Sequence, residues 1–243
     1  MSTDYDAIAE QYKRSKLTPW RTCIEQYTLL ELLGDLCGKS VLDLACGEGY
    51  YSRIFKHLGA SRVVGLDLST KMIELARASE AEASLGVEYA VGDATAFEPD
   101  ETFDIVTAAY LLNYADTKEK LLAMCQTVSR SLRPGGRFVS VNNNPSQALR
   151  RYGATRKYGF VKTVSERPRD GTPITYTIYQ DGGSFSFENY YLSLETHEQA
   201  LATAGLLDVE WVKPQLSPEC EEGSGFWDEF FIDPSIIFLR CRK

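Results

Sequence analysis

Between Lys39 and Val141, short apolar or β-branched runs alternate with longer amphipathic ones, and this alternation constrains the fold more than any other feature of the chain. The short runs have the length of strands and the longer ones the 3.6-residue period of helices, so the stretch reads as repeated βαβ units around a parallel sheet. Strands are expected at Ser40–Leu44, Arg62–Leu66, Val87–Val91, Phe103–Ala108 and Arg137–Val141, with helices at Tyr51–Leu58, Lys71–Ala81 and Lys118–Leu132. Each strand is apolar throughout, as needed when helices cover both faces of a sheet. Ser69 stands where an N-cap is wanted, and Arg133-Pro134-Gly135-Gly136 stops the helix before the next strand. With 243 residues, 44% of them hydrophobic, the chain is expected to form a single domain around one large core.

Flanking segments follow other patterns. Ile8–Lys13 and Thr22–Leu36 read as amphipathic helices, placed as a lid over the carboxyl edge of the sheet (residues 1–38, ahead of a core at 39–144). After Asn144 the alternation stops. Thr172–Gln180 and Ser184–Tyr191 are β-rich and joined by Asp181-Gly182-Gly183, a strong hairpin signal, so residues 145–192 are expected to form an antiparallel flap over an acceptor site. A helix near Glu195–Ala204 and strands at Leu207–Val212 and Ser235–Cys241 would complete the sheet over residues 193–243.

The formal net charge of -8, with no run of Lys or Arg, speaks against nucleic acid as a partner. The acidic N-terminus lacks an apolar segment, so neither a secretory signal nor a membrane span is expected, and a cytoplasmic location follows, as monomer or homodimer. Cysteines 23, 37, 46, 125, 220 and 241 form no C-x-x-C pair or zinc-ligand spacing. They are expected to be reduced and mostly buried, and no metal is assigned.

Chemistry concentrates at Val41-Leu42-Asp43-Leu44-Ala45-Cys46-Gly47-Glu48-Gly49, an apolar strand running into a glycine turn and then a helix. Glycines there let a ligand approach the backbone. A dinucleotide fingerprint needs a third Gly or Ala, and Ser52 holds that position. Asp43 and the backbone of Ala45–Gly47 suit a cation better than a diphosphate. Asp67, at the end of the second strand and 20 residues beyond Gly47, stands where such folds bind a ribose diol. Asp93 and the backbone of Ala94, after the third strand, are placed to read an adenine ring. Tyr110 and Asn113 follow the fourth strand at the same edge, as contacts to cofactor and acceptor respectively.

The segments DLACGEG, VVGLDLS, VGDA and LRPGG, in this order, resemble the class I methyltransferases that use S-adenosylmethionine (SAM). The resemblance covers about Lys39 to Asn142. It implies a Rossmann-like, doubly wound, seven-stranded α/β sheet with its last strand reversed, SAM as methyl donor and a small-molecule acceptor. Ala45 departs mildly from the family, where many members have Gly. A narrower resemblance, carried by YDAIAEQYKRSKLTPWR, DLACGEGYYSR, AYLLNYA, VNNNP and TRKYGF, is to toxoflavin synthase and its relatives. It implies N-methylation of a planar, azapteridine-type nitrogen heterocycle. O- or C-methylation of another secondary metabolite stands as the alternative, and a nicotinamide-dependent oxidoreductase as the more distant one.

Catalysis by alignment needs no fixed triad, so the candidate residues are those that could enclose the acceptor. Tyr5 and Tyr12 of the lid could orient it or take its proton, or could be packing residues of a helix. Trp20 and Arg21 could stack on a heterocycle or reach the SAM carboxylate. Asn142 and Asn144, with Asn143 between them, could pair with ring donors and acceptors or serve only as turn residues before Pro145. The flap aromatics Tyr158, Phe160, Tyr176, Tyr179, Tyr190 and Tyr191 alternate as a sheet face should, mostly core, with one or two facing a pocket. His197, at a helix start, reads as structural.

Overall fold

The computed structural model describes residues 9–180, 183–220 and 225–243. Five parallel strands follow the alternation: β1 (Ser40–Leu44), β2 (Arg62–Asp67), β3 (Val87–Val91), β4 (Phe103–Ala109) and β5 (Leu132–Asn143). Helices α3 (Tyr50–His57), α4 (Thr70–Glu82) and α5 (Lys118–Ser131) connect them. The Ser69 hydroxyl caps α4 by accepting from the Met72 N–H at 3.1 Å, and Thr117 caps α5 in the same way. Among the described residues the larger sheet has seven strands in the order β3-β2-β1-β4-β5-β10-β9, where β9 is Leu207–Val212 and β10 is Ile236–Arg242. Only β10 is reversed, antiparallel to both neighbours.

Two apolar layers hold the sheet. Val41, Val63, Ile105, Val139 and Phe238 face α3 and the lid helix α2 (Tyr27–Leu33), whereas Leu42, Leu44, Val106, Phe138 and Leu239 face α5 and α6 (Leu194–Thr203). Between β5 and α6 the flap forms a second sheet of three strands, β6 (Phe160–Thr163), β7 (Pro173–Gln180) and β8 (Gly183–Tyr190). The expected hairpin is β7–β8, with Asp181 and Gly182 of its turn outside the described residues.

Three local expectations are corrected. The stretch from Thr22 is not one α-helix: a wide π turn (Arg21–Gln26) precedes α2 and sets both charged ends of an Arg21–Glu25 pair in the interior. The Arg133–Gly136 segment does not lie outside the last parallel strand but bulges within β5, where the register jumps from Phe103↔Leu132 to Ile105↔Arg137. Cys23 and Cys220, expected to be reduced, form a disulfide with Cα atoms 5.8 Å apart. The 197-residue separation hid this pair. The chain after β9 docks on the lid, with the Ser217 N–H donating to Cys23 O (2.8 Å) and the Gln215 N–H to Thr28 Oγ1 (2.8 Å). Cys37, Cys46, Cys125 and Cys241 are free thiols. No helix is long and apolar enough to cross a membrane among the described residues.

Candidate active site

Strand order reverses between β1 and β4, and a cavity of about 160 Å³ opens there at the carboxyl ends of β1 to β4. Ala45, Gly47, Asp67, Asp93 and Ala94, which the sequence marks as candidate cofactor contacts, all line it. The turn after β1 is left-handed at Ala45 (φ 58°), Gly47 (φ 57°) and Gly49 (φ 83°). A side chain at Gly49 would also run into the Tyr89 ring. Ala45 bears a Cβ in this conformation, which a glycine adopts with less strain.

Asp67 ties two turns together. Its Oδ2 accepts from the Gly47 N–H (2.8 Å) and its Oδ1 from the Ser69 N–H (2.9 Å), while the carboxylate still faces the cavity. Burial pushes its pKa upward against those two bonds. Asp93 Oδ1 accepts from both the N–H and hydroxyl of Thr95 (2.8 Å each), which fixes the carboxylate at the cavity rim. Asp43 lies behind the turn, 1% exposed and outside the cavity lining. Its Oδ2 accepts from Ser52 Oγ at 2.6 Å, and burial pushes its pKa up to about 7. Ser52 is thus the internal partner of Asp43.

The lid closes this cavity with Tyr12, on α1 (Ala9–Ser15), and Lys16 four residues later. Lys16 is 6% exposed, and its ammonium lies over the Tyr12 and Tyr51 rings at 5.1 and 5.3 Å. Sequence reasoning passed over Lys16. Its i, i+4 spacing from Tyr12 was the available signal. Tyr5 lies outside the described residues.

A second, smaller recess of about 20 Å³ adjoins the first, and Tyr12 and Tyr114 line both. Its walls come from the lid (Trp20, Arg21), the end of β4 (Tyr110) and the flap (Phe160, Tyr176, Asn189). Trp20 packs on Phe160 with centroids 4.7 Å apart. Beneath the recess, Glu25 is wholly buried and accepts from Arg21 Nη1 (3.1 Å to each oxygen), Tyr51 OH (2.8 Å) and Tyr110 OH. Burial alone would raise the Glu25 carboxyl, but Arg21, Lys16 and the two tyrosines hold it below the usual range. The Tyr110 and Tyr51 hydroxyls are pushed far up by burial and by the Glu25 charge, so they remain protonated donors. Tyr110 carries a positive φ of 73°, strained for a bulky residue, and is held by its N–H on Val141 O (2.9 Å) and its hydroxyl on Glu25.

Asn113, Asn142 and Asn144 stand apart from both cavities. Asn113 Oδ1 accepts from the Asn143 N–H (3.2 Å), and Asn142 Nδ2 donates to Ser140 Oγ (2.9 Å). Asn144 Nδ2 donates to Pro234 O (2.8 Å). These amides brace the end of β5, and Asn143 Oδ1 also accepts from the buried Lys162 (2.8 Å). Tyr110 faces the second recess and not the first. His197 is buried at the start of α6, its Nδ1 2.9 Å from Ser193 O.

Residues 41–136 match a family model described as a methyltransferase domain. The demethylmenaquinone methyltransferase of Lactococcus lactis is 34% identical over 59% of this chain and 56% of its own length, so the chain spans little more than half of that relative. The N-demethylindolmycin N-methyltransferase of Streptomyces griseus is 24% identical over 70% of each chain. A SAM-dependent methyltransferase structure from Mesorhizobium loti superposes with a TM-score of 0.65 and 24% identity, covering 90% of this chain and 97% of that one. The fold is that of the class I Rossmann-like methyltransferases, and residues 41–136 carry a methyltransferase domain. The oxidoreductase reading gives way to this assignment.

The cavity suits SAM. Asp67 and Asp93 are carboxylates that would meet a ribose diol and a purine amino group, the Ala45–Gly47 turn would take the methionyl portion, and the Lys16 ammonium would face its carboxylate.

Proposed function

We propose that the chain transfers the methyl group of SAM to a nitrogen of a small planar heterocycle held in the aromatic recess. The observation that carries this reading is the pair of cavities sharing Tyr12 and Tyr114, one with carboxylates and a glycine turn, the other walled by aromatic rings. When bound, SAM supplies an activated methyl on a sulfonium with a good leaving group. Asp67 takes the ribose diol, Asp93 and the Ala94 N–H take the adenine, and Lys16 takes the methionyl carboxylate. Trp20 and Tyr110 hold the acceptor ring flat, and Tyr12 lies between the two sites to orient the acceptor.

Among the described residues the recess is lined by no carboxylate or imidazole, so the chain contributes alignment and exclusion of water more than proton transfer. Asn113, Asn142 and Asn144 act from behind, holding the end of β5. Likeness to an N-methyltransferase that acts on demethylindolmycin favours nitrogen as the acceptor atom. Likeness to a demethylmenaquinone methyltransferase keeps O- or C-methylation as the second reading. Incubation with methyl-labelled SAM and a panel of pteridine-like, purine-like, phenolic and amine acceptors, read by mass spectrometry, separates the two. Label on a ring nitrogen of a pteridine-like acceptor is expected; label only on phenols or quinols would move the assignment to the second reading.

A further inference from the structure

The flap strands β7 and β8 alternate strictly, so Ile174, Tyr176 and Ile178 face inward opposite Asn189, Phe187 and Phe185. Five of these six positions are apolar or aromatic, and Asn189, 1% exposed, is the exception. Its Oδ1 has no hydrogen-bond partner among the described residues. Among the described residues, Tyr176, stacked on Phe187 (centroids 5.4 Å apart, planes at 6°), finds no partner for its hydroxyl, and Arg21 finds none for its Nε–H although Nη1 serves Glu25. All three residues line the same recess. An unmet buried polar atom carries its full desolvation cost, so three on one recess call for a ligand that meets them.

The three atoms are chemically distinct. A carboxamide oxygen only accepts, an Arg Nε–H only donates, and a phenol does either. We propose that Asn189, Tyr176 and Arg21 read the edge of the methyl acceptor, and that this edge is a cyclic amide, an N–H beside a C=O, on a planar ring. This rests on reading the recess as the acceptor site. A space of about 20 Å³ admits roughly one water molecule, so a ring enters only as α1 parts from the flap. The two are tied there by the Tyr12–Phe187 edge contact (5.9 Å) and by Gln180 Nε2 donating to Gln11 O (3.0 Å).

The test is calorimetry on the full chain saturated with S-adenosylhomocysteine, titrating a pyrazine-fused pyrimidinedione and its N,N′-dimethyl derivative. Wild type is expected to bind the N–H form and to disfavour the dimethyl form by about tenfold or more, the cost of one unmet buried hydrogen bond. Asn189→Leu, which replaces an unpaired amide by an apolar side chain, is expected to erase that preference and raise Tm, with S-adenosylhomocysteine affinity unchanged. Equal binding of both probes by wild type, binding of neither, or an Asn189→Leu variant that keeps the preference would overturn the proposal. So would a lowered Tm in that variant, the mark of a recess satisfied by water alone. Absence of S-adenosylhomocysteine binding in wild type would instead sink the methyltransferase reading beneath it.

Discussion

The cavity assigned to SAM takes most of its lining from turns at the ends of four neighbouring strands, whereas the aromatic recess beside it gathers side chains from the lid, β4 and the flap. The first depends on backbone shape, with left-handed residues at 45, 47 and 49 and one carboxylate bridging two turns. The second depends on packing of remote segments around a buried ion pair. A common cofactor can be held by a shared sheet edge, while acceptor choice is left to parts that vary without disturbing it.

The largest effect should fall on the recess. Glu25→Ala strands the Arg21 guanidinium in the interior and should cost about 3–5 kcal/mol of stability in urea unfolding. The paired change Arg21→Met with Glu25→Leu should recover most of that loss. A single-variant cost below about 1 kcal/mol would mean that the ion pair does not hold the recess wall.

On the cofactor side, Asp67→Asn should weaken S-adenosylhomocysteine binding by about 1–3 kcal/mol, through a poorer bond to the ribose and the loss of one backbone partner. Stability measured without ligand should move less. Backbone shape is tested by Ala45→Val, which puts a branched side chain at a positive φ and should cost about 1–2 kcal/mol. Ala45→Gly should stay within about 1 kcal/mol of wild type, since relief of strain and a freer unfolded chain offset one another.

A separate effect distinguishes the flap from the sheet edge by pH. Lys162 is wholly buried, and desolvation lowers its pKa from 10.5 to about 7, with Asp233 opposing. Between those two values the unfolded chain binds a proton that the folded chain has released, so stability should rise with pH across that window. Lys162→Met should flatten the rise. An unchanged slope from neutral to alkaline pH in that variant would show that Lys162 is not the titrating group.

Legibility in the sequence follows the same division. The strands of the sheet, and the meeting of Ala45, Gly47, Asp67, Asp93 and Ala94 at one sheet edge, are readable because each motif is contiguous and its spacing is set by one βα turn. Lys16 was missed because its role depends on where the lid lands. Asn113, Asn142 and Asn144 were read as acceptor contacts from their place after β4 and β5, but strand ends also need braces, and their amides meet such needs. The Cys23–Cys220 bridge and the Arg21–Glu25–Tyr110 cluster join segments that no local pattern links. Asn189 was legible only as an interruption of the period-2 apolar face of β8.

The most direct measurement is isothermal titration of S-adenosylhomocysteine into wild type, Asp67→Asn and Asn189→Leu. One site per chain is expected, weakened by Asp67→Asn and unaffected by Asn189→Leu. No binding to wild type, or equal weakening in both variants, would contradict a division into a cofactor cavity at the sheet edge and an acceptor recess under the flap.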